Sequence, residues 1–106
     1  MTLEELYNSL PERFSAEKAG DFSGRFQFNI TGEGGGNFWV TVKDGGFDLG
    51  AGSIEDPTCT IEMAFNNYAD LNQGRISGQM AFMTRKMKVT GNIMQSATFG
   101  KIFARK

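Results

Sequence analysis

The chain of 106 residues contains no histidine. That removes Ser–His and Cys–His nucleophilic catalysis and every histidine-ligated metal mechanism. Cys59 is the only cysteine, so an intramolecular disulfide, a cysteine-caged zinc and an iron–sulfur cluster are all excluded. No apolar run approaches the ~18 residues of a membrane span, and Met1-Thr2-Leu3-Glu4-Glu5 lacks the basic opening of a signal peptide. The closing tripeptide Ala104-Arg105-Lys106 is not the Ser-Lys-Leu peroxisomal address. The expectation is a cytoplasmic protein with no metal and no cofactor, from which most common enzyme chemistries are missing.

What remains is ordinary for one domain over residues 1–106. Hydrophobic residues are 40% of the chain, enough for an independent core. The net charge of −1 conceals an asymmetry. Residues 1–62 carry 11 acids and 4 bases; residues 63–106 carry 1 acid, Asp70, and 7 bases. A basic C-terminal face would attract anions over about a Debye length, ~8–10 Å in physiological salt. Equally, the two halves can neutralise each other across the fold. No nucleic-acid partner is expected.

Periodicity orders the elements. Thr2-Leu3-Glu4-Glu5 has capping-box spacing, and Leu3, Leu6, Tyr7, Leu10 and Phe14 form one apolar helix face that Pro11 interrupts. Ser15 is placed to cap a further short turn. Alternation then predicts strands over 25–30, 38–43, 47–49, 58–63 and 86–90, with Asp44-Gly45 as a hairpin turn and Gly91 as a stop. Asn66 or Asn67 is positioned to cap a helix running to Gln73, with Gly74 as its stop. Ser77 to Thr84 reads as another helix, and Asn92 caps a last one from Ile93 to Ala104. The class is α+β, with a mostly antiparallel five-stranded sheet covered on one face. Ile93, Met94, Ala97 and Ala104 fall on one side of the last helix, and Phe99, Ile102 and Phe103 largely opposite. Both sides are therefore buried, or one faces a ligand or partner.

Few motifs carry chemistry. Gly32-Glu33-Gly34-Gly35-Gly36 leads into a strand rather than a helix N-terminus, so it reads as a loose hairpin tip and not a phosphate loop. Glu4/Glu5 and Glu55/Asp56 sit where carboxylates commonly occur, at a helix start and a turn. Cys59 has no basic neighbour in its strand and reads as an inert buried thiol. Ten Phe and six Met stand out, with five of the Met between residues 63 and 94. Met suits a surface that adapts to apolar partners of varying shape; it also suits a loosely filled core.

The block Asp56-Pro57-Thr58-Cys59-Thr60-Ile61-Glu62-Met63 resembles the sterol carrier protein type 2, or non-specific lipid-transfer, family. So do Leu71-Asn72-Gln73-Gly74-Arg75-Ile76 and Ala81-Phe82-Met83-Thr84-Arg85-Lys86-Met87-Lys88-Val89-Thr90-Gly91-Asn92. The resemblance implies a five-stranded sheet with helices over one face and an apolar tunnel between them. It implies a soluble intracellular carrier, not an enzyme, for fatty acid, acyl-CoA, phospholipid or sterol-like lipid. Met80, Phe82, Met83, Ile93, Met94 and Ala97 would line or close the tunnel, with Phe26 and Phe28 on its floor. Residues 93–103, including Ile102 and Phe103, would form a lid. Where many eukaryotic members carry glutamine and glycine, this chain has Thr84 and Arg85. Arg85 beside Lys86 suggests carboxylate or phosphate heads, which arginine pairs bidentately. Lys101, Arg105 and Lys106 would make transient contact with an anionic membrane surface. The alternative is a non-catalytic interaction module, for example a homodimer formed through the last helix.

Overall fold

Local sequence signals are met at the N-terminus. In the computed structural model, which describes residues 1–104, the Thr2 hydroxyl accepts from the Glu5 N–H at 3.2 Å and Glu5 Oε1 accepts from the Thr2 N–H at 2.9 Å. This capping box opens α1 (Leu3–Tyr7), which buries Leu3, Leu6 and Tyr7. Pro11 stands near the start of a 3₁₀ turn, Leu10–Arg13, where its missing N–H costs nothing. The Ser15 hydroxyl then caps α2 (Ala16–Ala19) by accepting from the Lys18 N–H.

Five strands follow: β1 (Gly24–Thr31), β2 (Gly36–Lys43), β3 (Gly46–Ala51), β4 (Cys59–Ala64) and β5 (Met87–Gly91). Their order in the sheet is β3-β2-β1-β4-β5. The β1–β4 pair is parallel and the other three pairs are antiparallel, so the sheet is mixed but mostly antiparallel. Period-2 alternation sends Phe26, Phe28, Ile30, Phe38, Val40, Val42, Cys59, Ile61 and Met63 to one face, where all are buried. Helices α3 (Phe65–Asn72), α4 (Gly78–Met83) and α5 (Ile93–Ile102) lie against that face with α1 and α2.

An exposed glycine loop joins β1 to β2. A Cβ on Gly35 would lie 2.2 Å from the Ile30 carbonyl oxygen, so only glycine lets the chain turn this tightly. The ring of Phe65 lies over neighbouring Gly34. The start of α3 also departs from expectation. Neither Asn66 nor Asn67 caps it; extended Ala64 ends β4 and the helix begins at once with Phe65.

Because β3 is an edge strand and β4 lies beyond β1, residues 52–58 cross the outer face of the sheet. Gln27, a polar outward position of β1, is covered by this crossing and is buried. Its Oε1 accepts from the Ile54 N–H at 2.9 Å and its Nε2 donates to the Gly52 carbonyl at 3.2 Å. Buried polar groups must find such partners.

Candidate functional site

The inner face of the sheet leaves space beneath the helices. Aromatic packing sets its limits. Phe28 stacks on Phe38 at 4.6 Å, and Phe38 stacks on Tyr7 at 4.8 Å, which fixes α1 over β1 and β2. At the other end Phe99 on α5 approaches Phe26 at 4.8 Å, Phe28 at 5.1 Å and Phe103 at 4.6 Å. The Ser15 N–H donates to the Ile102 carbonyl at 2.9 Å, tying the end of α5 to the chain before α2. At the start of α5, Gln95 Oε1 accepts from the Thr58 hydroxyl.

Two open-sided chambers remain, each of about 470 Å³. The first is floored by Phe28, Ile61 and Met87 and walled by Tyr68, Leu71 and Asn72 of α3. Ser96, Phe99, Gly100 and Phe103 close it from the α5 side, and Leu10 and Arg13 also line it. The second lies between α4 and α5, against Phe82, Ile93, Met94 and Ala97. Gly78, Met87, Ser96 and Gly100 line both, so the chambers adjoin. The small residues Gly78, Ser96 and Gly100 project little or no side chain into the passage. No atom lies within 4 Å of where a Cβ would stand on Gly78 or Gly100.

The expected lining residues divide into three groups. Phe28 and Phe103 line the first chamber; Phe82, Ile93, Met94 and Ala97 line the second. Phe26 and Ile102 are wholly buried and line neither, because both are consumed by core packing. Met80 and Met83 project from α4 with 54% and 69% exposure and also line neither. Arg85 is exposed in the turn after α4, at φ +64°, and borders neither chamber. Lys101 is exposed on α5; Arg105 and Lys106 lie outside the described residues. The space is a pair of adjoining open grooves rather than an enclosed tunnel, since Ile93 and Met94 remain 49% and 78% exposed.

The polar groups at the site were not legible in the sequence. Asn72 is buried, donates from Nδ2 to the Leu6 carbonyl at 3.2 Å, and accepts at Oδ1 from Arg13 Nη2 at 2.7 Å. Tyr68 beside it is pushed up to about 12 by burial, which keeps its phenol neutral. Burial likewise raises the Cys59 thiol, in keeping with an inert role. Among the described residues no cluster of three His, Cys, Asp or Glu suits a metal ion, and no helix is long and apolar enough to cross a membrane.

Comparison with known proteins sets this geometry in a family. The model of the SCP-2 sterol transfer family matches residues 3–104. The chain is 28% identical over 101 residues to hydroxysteroid dehydrogenase-like protein 2 of Mus musculus, covering 94% of this chain and 21% of that protein. It thus spans about a fifth of the length of such relatives. The solution structure of palmitated SCP2L2 from Aedes aegypti superposes with a TM-score of 0.80 at 18% identity, covering 99% of this chain and 96% of that one. The sec-alkylsulfatase Pisa1 from Pseudomonas sp. contains the same fold, with a TM-score of 0.85 at 13% identity over all of this chain and 17% of the enzyme. The near-complete family match identifies the chain as a member of the SCP-2 sterol transfer family.

Proposed function

We propose that this protein is a non-catalytic lipid carrier that holds one apolar chain in the adjoining chambers and exchanges it at membrane surfaces. The observation that carries the reading is the passage itself. Two spaces of about 470 Å³ adjoin beneath α5, their walls are mainly apolar, and no side chain among the described residues fills them. That size suits a small lipid. Burying an acyl chain yields ~0.8 kcal/mol per methylene, so ten methylenes supply roughly 8 kcal/mol before ordering costs. The palmitated state of the Aedes aegypti neighbour supports a fatty acyl ligand. Fatty acid, acyl-CoA, phospholipid and sterol-like lipids form the candidate set, and the cytoplasm is the proposed place of action.

The exposed apolar residues Phe82, Ile93 and Met94 line the second chamber, and exposed Met80 and Met83 project from the same α4 helix. Arg85, Lys86 and Lys101 are exposed in or beside the same helices. Such a surface suits shallow docking on an anionic bilayer, where basic residues contribute ~1 kcal/mol each. Organic extraction of the purified protein followed by mass spectrometry tests the reading. A stoichiometric lipid supports it; protein that neither retains lipid nor binds fluorescent fatty acid contradicts it.

The same apolar face favours one further reading, an interaction module docking on another copy or chain. A dimer in sedimentation equilibrium that is lost in Met83→Asp, from protein without lipid affinity, would favour that reading.

A further inference from the structure

The first chamber is mainly apolar, yet among the described residues that line it one, Arg13, is a cation. We propose that Arg13 binds the oxyanion head of a single-chain lipid, with the tail running past Phe99 and Gly100 toward the groove between α4 and α5. This rests on the lipid-carrier reading and adds the head-group chemistry and the direction in which the ligand lies.

Arg13 occupies the last position of a 3₁₀ turn whose first residue, Leu10, is buried and lines the same chamber. The guanidinium is held from behind. Its Nη2 donates to Asn72 Oδ1 at 2.7 Å, and the Asn72 amide is itself anchored on the Leu6 carbonyl at 3.2 Å. One described bond leaves most of the five guanidinium N–H donors for a ligand. Among the described residues the sole ion pair is Arg75 with Asp70, so no carboxylate among them pairs with Arg13. An arginine held by Asn72, with no carboxylate partner among the described residues and beside an apolar slot, suits a carboxylate or phosphate carried on a hydrocarbon chain.

The opposite orientation lacks such a group. The polar side chains of the second chamber are Gln79 and Ser96, both neutral. Arg85, the cation expected to meet the head group, borders neither chamber, and Lys101 borders neither. Head at Arg13 and tail toward Phe82 and Met94 is therefore the arrangement that pairs charge with charge and chain with apolar wall.

Displacement of parinaric acid by myristate and by tetradecan-1-ol tests the proposal, read as the acid-to-alcohol preference so that probe affinity cancels. The wild-type protein should prefer myristate by roughly tenfold, the gain expected of one charge-assisted hydrogen-bonded pair. Arg13→Met should abolish that preference while tetradecanol still binds, Arg13→Lys should recover part of it, and Arg85→Met should leave it intact. Free acetate in excess should displace nothing. Equal wild-type binding of acid and alcohol, equal weakening of both in Arg13→Met, selective loss in Arg85→Met, or displacement by acetate would each overturn the assignment. Failure of the wild-type protein to bind the probe, the acid and the alcohol alike would instead sink the carrier reading beneath it.

Discussion

The ring of Phe99 on α5 lies 5.1 Å from that of Phe28 on β1, and both rings line the first chamber. One aromatic contact thus joins the covering helix to the sheet and forms part of the ligand's path. Stability and binding are coupled through it: whatever loosens α5 also widens the space beneath.

Phe99→Ala removes ring contacts with Phe26, Phe28 and Phe103 together. Truncating a buried phenylalanine costs about 3–5 kcal/mol, and partial exposure of Phe99 places the expected loss at the low end, about 3 kcal/mol. Urea denaturation measures it. Added myristate should restore part of the loss, because a ligand that binds only the folded state stabilises it by mass action.

Gln27→Leu tests the opposite face. The substitution removes the acceptor for the Ile54 N–H and the donor to the Gly52 carbonyl. Unmet buried groups cost about 1–3 kcal/mol, and hydrogen exchange at Ile54 should accelerate. Fatty-acid affinity should stay within about twofold, since residue 27 lies across the sheet from the chambers.

Alkaline stability follows from Tyr68. Its phenol retains a proton in the folded protein up to about 12, whereas the unfolded chain releases it near 10. The associated stability is complete below pH 10 and is lost as pH rises toward about 12, in all roughly 2–3 kcal/mol. Cys59 acts with the same sign from pH 9 upward, because burial raises its thiol. Urea midpoints measured across pH 8 to 12 should fall, and Tyr68→Phe should flatten the decline above pH 10.

Membrane docking separates from ligand binding at Met80 and Met83, which are exposed and line neither chamber. The double variant Met80→Asp, Met83→Asp should slow transfer of fluorescent fatty acid to anionic vesicles about tenfold. Its equilibrium affinity should match the wild-type protein. Equal transfer rates would move the docking face elsewhere.

Local signals were readable in the sequence because their causes are local. Thr2 and Ser15 cap helices a few residues away, and the alternation of Phe26, Phe28 and Ile30 states which side of β1 is buried. Alternation does not name a strand's neighbour, so the parallel pairing of β1 with β4 was hidden. Gln27 looked like any outward residue, since its cover is a crossing loop that begins 25 positions later. Arg13 and Asn72 are 59 positions apart and meet only in three dimensions. Met80 and Met83 were expected to line the space because the family resemblance implied it, and a resemblance in sequence does not state which way a side chain projects.

Gly100 offers the most direct test of the claim that lipid occupies this passage. It lines both chambers, and open space stands where its Cβ would be. A larger side chain should enter the passage rather than the core, and replacing a helical glycine offsets up to ~1 kcal/mol of any strain. Titration of Gly100→Phe with fluorescent fatty acid, alongside its urea midpoint, reads both effects. The account predicts native-like stability, within about 1 kcal/mol, with binding weakened at least about tenfold. Wild-type affinity in a stably folded Gly100→Phe would place the lipid somewhere other than beneath α5.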